Sequence, residues 1–193
     1  MPIKKNFKIY QGSTFQETLY WEATLKAYAP ITGITKTAPM VVISTAHSIP
    51  AGWSVKITNA GGMKEINSTD TILTVTSVGT DSMTFNDVNS LGYTTYTSGG
   101  VVEYYVPVDL TGYTARMQIR AKLEDATEVI ELTTENGGIT VDDTTKTISL
   151  TISATDTALF TFTNAVYSLE LVNTGVVTTV ASGMVYLVKE VTR

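Results

Sequence analysis

Pro107–Arg120 reads PVDLTGYTARMQIR, and this stretch decides the fold class. It opens as a turn. Asp109 can accept hydrogen bonds from nearby backbone, and Thr111-Gly112 supplies a residue that tolerates positive φ. From Tyr113 the period is two: Tyr113, Ala115, Met117 and Ile119 share one side, Thr114, Arg116, Gln118 and Arg120 the other. Strict alternation with a polar outer set predicts a half-buried antiparallel strand.

The composition agrees. The 193 residues include 35 threonines and ten tyrosines, and only 16% are charged. Thr, Val and Tyr suit a pleated, half-buried surface. The length allows one large β domain or two small ones with a real core. Thirteen basic against 18 acidic residues give a net charge of −5. With no basic cluster of five or more residues, and only the small group Lys4-Lys5 and Lys8 near the start, no nucleic-acid partner is expected. The absence of Cys rules out disulfides and thiolate metal sites, and one His rules out a His-rich zinc site. No apolar run is long enough for a membrane-spanning helix, and the N-terminus lacks the apolar core of a secretory signal. The expectation is therefore a protein made and soluble in a cytoplasm, with no cofactor, no metal and no membrane.

Outward from the deciding stretch, alternation and turn signals repeat. Asn6–Tyr10 and Thr14–Trp21 are two strand-like runs joined by Gln11-Gly12-Ser13, a hairpin or a corner between sheets. Glu17 shares a face with Phe15, Leu19 and Trp21, which marks it as misplaced or as a sheet end. From Ala23 to Pro39 the pattern breaks around Pro30, Gly33 and Pro39, which predicts a connector into an insertion. Met40 to Val102 then offers short strands at MVVIST, Trp53–Thr58, Ile72–Val78 and Met83–Phe85, with an aromatic, Gly-rich return at Tyr93–Gly100. Such spacing predicts a small β-barrel. After Arg120 come Glu128–Thr133, Ile139–Val141, Ile148–Ile152, Tyr167–Leu171, Val176–Ala181 and Met184–Val191. Ser153 as N-cap with Asp156 three residues on predicts one helical turn before Phe160.

The words DLTGYTARMQIR, GITVDDTTKTISLTISATDTALF, YSLELVN and GMVYLVKEVTR resemble the β-sandwich module of bacteriophage tail and baseplate proteins, the baseplate-upper-protein N-terminal type. HSIPAGWSVKITNAGGMKEIN and GYTTYTSGG resemble the small β-barrel described as the FCCH half-domain of ubiquitin-activating enzymes. That second likeness covers Val41 to Val102 and includes His47, Gly52, Gly62-Met63, Asn67, Phe85 and Gly99-Gly100. It departs at Lys64 to Asp70, a longer and more polar connection, and brings no ubiquitin chemistry to a chain without Cys. Together the resemblances imply an all-β protein: a discontinuous antiparallel, immunoglobulin-like sandwich from 1–34 and 103–193, with an inserted FCCH-like small β-barrel at 35–102.

The chemistry-bearing residues read mostly as structure. His47 has no Ser-His-Asp or Cys partner and reads as a corner residue. Asp142-Asp143 and Glu124-Asp125 lack the D-x-D-x-D-G spacing of a calcium loop. Glu128 with Glu131 or Asp109 would need to flank a sugar cleft to act as a glycosidase pair, and Glu128 and Glu131 fall on opposite strand faces. Gly61-Gly62 and Gly99-Gly100 lack the GK[ST] and helix of a phosphate loop. Trp53, Tyr93, Tyr96, Tyr104 and Tyr105 remain as a candidate interaction surface, because aromatics give large contact area at low entropy cost. Core packing is the competing reading.

The expectation is a non-enzymatic virion structural protein. The resemblance implies an adaptor in the tail, baseplate or head–tail region, present in symmetric copies and touching other virion proteins, copies of itself and a tail fibre. VYLVKEVTR or the N-terminal run is expected at an interface. Capsid decoration and a carbohydrate-binding, host-adsorption module are the alternatives.

Overall fold

The structure is a computed structural model and describes residues 2–67 and 71–190. It is nearly all β. Ahead of the insertion run β1 (Ile3–Lys4), β2 (Phe7–Tyr10) and β3 (Phe15–Tyr20). The next eight strands are β4 (Glu22–Pro30), β5 (Gly33–Ile34), β6 (Met40–Ile43), β7 (Ser54–Thr58), β8 (Leu73–Thr74), β9 (Ser77–Gly79), β10 (Ser82–Phe85) and β11 (Val101–Pro107). Then follow β12 (Thr114–Arg120), β13 (Ile130–Thr133), β14 (Ile139–Asp142), β15 (Thr147–Ile152), helix α1 (Ala154–Ala158), β16 (Asn164–Asn173) and β17 (Val176–Val188).

Contacts divide the chain into residues 1–21 with 109–193, and residues 22–108. The first unit is a sandwich of two sheets. One has the order β1-β17-β16-β12-β13, with β2 also on β17, and the other the order β14-β15-β3. This is the strand order of an immunoglobulin-type sandwich, with β3, β12, β14, β15, β16 and β17 in the places of strands B, C, D, E, F and G. The insertion occupies the B–C connection. Alternation delivers the core: Ala115, Met117 and Ile119 from β12, Ile148, Leu150 and Ile152 from β15, and Leu169 and Leu171 from β16 are buried together with Phe7, Phe15 and Tyr167.

Gln11–Ser13 is a corner rather than a hairpin. Before it, β2 runs parallel to β17 with Phe7 opposite Val185; after it, β3 pairs antiparallel with β15 in the other sheet. Glu17 is not misplaced. Its carboxylate meets Lys5 Nζ at 2.6 Å, an ion pair from the β3 side to the segment between β1 and β2. The two expected C-terminal runs form one strand. β17 lies between β16 and the β1/β2 pair, so it is an interior strand and the N-terminal strands form the sheet edge. The predicted strand end at Val191 and the EVTR words after Glu190 lie outside the described residues. The helical turn forms where capping predicts it: Ser153 Oγ accepts from the Asp156 amide at 3.1 Å.

The inserted unit differs from the expected barrel. Its strands form two open four-stranded sheets, β5-β6-β10-β9 and β4-β11-β7-β8, and no closed ring. The chain changes sheet at two corners. Ile31 donates to Gly100 O while Thr32 donates to Ile43 O, and Val75 donates to Trp53 O while Thr76 donates to Thr84 O. At those corners neighbouring residues bond in different directions, which interrupts the ladder. The unit's boundaries also differ from 35–102. β4 and β11 pair with each other from Pro30 opposite Val101 to Glu22 opposite Pro107, so both flanking segments belong to it. Met40, Val42, Trp53, Val55, Ile57, Met83, Phe85 and Val102 are buried within it. The departure at Lys64–Asp70 holds a short 3-10 turn at Lys64–Ile66, while residues 68–70 lie outside the described residues.

Candidate functional site

On β4 and β11, register sets which side chains share the outer sheet face. Tyr28 stands opposite Glu103, and Lys26 opposite Tyr105; Glu103 in turn stands opposite Lys56 of β7. Because side chains alternate, Lys26 and Tyr28 emerge on the same face as Glu103, Tyr105 and Lys56. A groove of about 410 Å³ opens there, lined by Glu22, Lys26, Lys56, Ile72, Glu103 and Tyr105 among others. Lys26 Nζ forms an ion pair with Glu103 Oε1 and also lies 5.5 Å from the Tyr105 ring centroid. The hydrogen bond and charge of Glu103 push the Lys26 ammonium above its ordinary range. Partial burial pushes the Glu22 carboxyl up. The Glu22 carboxylate makes no hydrogen bond or ion pair among the described residues. Tyr28, Ile72 and Tyr105 are exposed.

The five aromatics read from the sequence do not converge. Trp53 is 1% exposed, and its indole Nε1 donates to Tyr105 O at 2.7 Å, so it is a core residue and offers no surface to a partner. The Tyr104 hydroxyl donates to His47 O at 3.3 Å, and burial pushes its phenol up. Tyr96 donates to Ile31 O and Gly99 O at 3.0 and 2.9 Å, pinning the return loop. Tyr93 is half-buried in a turn closed by its amide on Ser90 O. Of the five, Tyr105 is the one whose side chain is exposed at the groove. Tyr28, Lys26, Glu22 and Glu103 were missed, because polar residues on a strand face read as ordinary solvated surface. The available signal was an aromatic on each polar face, Tyr28 in EATLKAYAP and Tyr105 in VVEYYVP.

The remaining candidates sit in structural roles. His47 is buried; its Nδ1 accepts from the Ile49 amide at 3.0 Å while Nε2 faces Gly79 O and Ser82 O, each at 3.2 Å. That pattern fixes the tautomer with the proton on Nε2. Asp142 caps a turn by accepting from the amides of Thr144 and Thr145. Asp143 accepts from Lys146 Nζ at 2.5 Å and from the Leu110 amide at 2.6 Å. Glu131 accepts from Gln118, and Glu128 lies 3.9 Å from Arg120, so the two carboxylates serve separate contacts. At Gly62 a Cβ would lie 2.2 Å from Thr95 O, so the glycine pair permits close chain approach. Among the described residues no three His, Asp or Glu side chains are grouped as a metal site would need. No helix among them is long and apolar enough to cross a membrane.

The sandwich unit carries a second cavity, of about 300 Å³, between the turn after β12 and the segment after α1. Val129, Leu159, Phe160 and Phe162 contribute apolar walls. Leu159 is 74% exposed at its rim.

A scan against protein-family models finds no match, and a search of curated proteins finds no similar sequence.

Proposed function

We propose that this chain is a non-enzymatic structural protein of a bacteriophage virion, an adaptor in the tail, baseplate or head–tail region that packs in symmetric copies. The observation that carries the reading is the exposed apolar rim of the sandwich. Leu159 and Val129 project beside Phe160 and Phe162, an arrangement that suits a protein neighbour better than water. The resemblance of DLTGYTARMQIR and the words after Gly138 to phage tail and baseplate sandwiches supports the setting. Sheet edges support the means. β3 and β13 each end a sheet, and an end strand offers backbone N–H and C=O groups to an added strand.

Immunogold labelling of purified particles with an antibody to the chain tests the reading. Label at the tail, baseplate or head–tail junction is expected, and Leu159→Asp should reduce that label several-fold while the purified variant keeps its wild-type melting temperature. Label spread over the head favours the decoration alternative. Unlabelled particles overturn both.

A further inference from the structure

We propose that the groove on the outer face of the β4-β11-β7-β8 sheet binds a neutral saccharide. Its chemistry is amphipathic in the way a sugar is. Tyr105 stands exposed in the groove lining, and Tyr28 stands exposed outside that lining on the adjacent strand, one diagonal step away. Diagonal neighbours have Cβ atoms about 7 Å apart, so the two rings can meet successive parts of one extended ligand. An aromatic face packs against the C–H face of a pyranose, while the phenol oxygen stays available to hydroxyls. Ile72, 62% exposed, adds an apolar wall.

The polar groups argue for hydroxyls rather than for an ion. Glu22 is an exposed residue in the groove lining, and its carboxylate has no hydrogen-bond or ion-pair partner among the described residues, so it stands open as an acceptor. A saccharide hydroxyl can donate to it. Lys26 and Glu103 already neutralise each other, so they act as a fixed donor–acceptor pair. Two carboxylates, Glu22 and Glu103, face two ammoniums, Lys26 and Lys56, in the same lining. That balance gives a phosphorylated or uronic-acid glycan no net attraction, and Glu22 repels it. A volume of about 410 Å³ falls in the range of small-ligand sites, roughly 300–1,000 Å³.

The test is saturation-transfer NMR on the full chain, with neutral oligosaccharides of glucose, galactose, rhamnose and N-acetylglucosamine, and a hyaluronan tetrasaccharide as the anionic comparison. Transfer to ring protons of at least one neutral oligosaccharide is expected, and none to hyaluronan. Tyr105→Ala should weaken that binding by about tenfold, the scale of one aromatic contact, whereas Tyr105→Phe keeps it. Glu22→Gln, on an exposed edge strand where refolding is undisturbed, should weaken it several-fold. No transfer from any neutral oligosaccharide overturns the proposal. So does stronger binding of hyaluronan, or binding unchanged in both Tyr105→Ala and Glu22→Gln. The outcome is independent of the virion reading, since saccharide binding and incorporation into particles are measured separately.

Discussion

Ser44 carries a hydroxyl that is fully buried and has no hydrogen-bond partner among the described residues. A buried, unpaired hydroxyl costs about 1–3 kcal/mol. Ser44→Ala should therefore raise stability by about 1 kcal/mol in urea unfolding; a loss of that size would mean that the hydroxyl has a partner in solution. Two other residues set the response to pH. Tyr167 donates to Lys5 O at 2.7 Å, and burial first, then the charge of Glu17, pushes its phenol up to about 12 from 10.0. A raised folded-state value means that its contribution is complete below pH 10 and is lost as pH climbs toward 12. Asp143 behaves in the opposite sense. The Lys146 hydrogen bond first, then the Leu110 amide, lowers its carboxyl from 3.8 to about 2, so its contribution is present above pH 4 and is lost as pH falls toward 2. Tyr167→Phe should flatten the alkaline limb of a stability–pH profile and Asp143→Asn the acid limb, each leaving the other limb unchanged.

The element that holds the sandwich edge is β17, and Gly183 is its critical position. A Cβ there would lie 2.0 Å from Lys5 O, where the chain passes between β1 and β2 and where Asn6 Oδ1 accepts from the Met184 amide at 2.9 Å. Gly183→Ala should cost about 2 kcal/mol and raise hydrogen exchange in β1, β2 and the facing half of β17. Unchanged exchange there would contradict the close approach. This pairing was not legible in the sequence, because a parallel partner 178 residues away leaves no local mark. Local patterns were legible. TARMQIR, TISLTI and YSLELV alternate because one face of each is buried, and they became β12, β15 and the centre of β16. β4 was missed for the converse reason: EATLKAYAP is exposed along most of both faces, so it shows no period and reads as a connector. That omission shifted the expected boundary from 21/22 to 34/35. It also hid the candidate groove, to which β4 contributes Glu22 and Lys26. Trp53 misled because a large aromatic looks the same in a core as at a surface until its neighbours are known.

At the scale of the molecule, an immunoglobulin-type sandwich carries a second β unit in its B–C connection. Each unit buries a set of apolar residues of its own. Replacing residues 22–108 by a flexible Gly-Ser linker should leave a sandwich that unfolds cooperatively with a dispersed amide spectrum; a collapsed spectrum would show that the insertion is part of the sandwich's core. The adaptor role we propose assigns anchoring to one unit and a further partner to the other. Copy number per virion, from quantitative mass spectrometry of purified particles against the major capsid protein, tests that account most directly. The account predicts a few to some tens of copies, the stoichiometry of a tail or connector ring; absence from the particle would contradict it, and hundreds of copies would move the protein to the head surface.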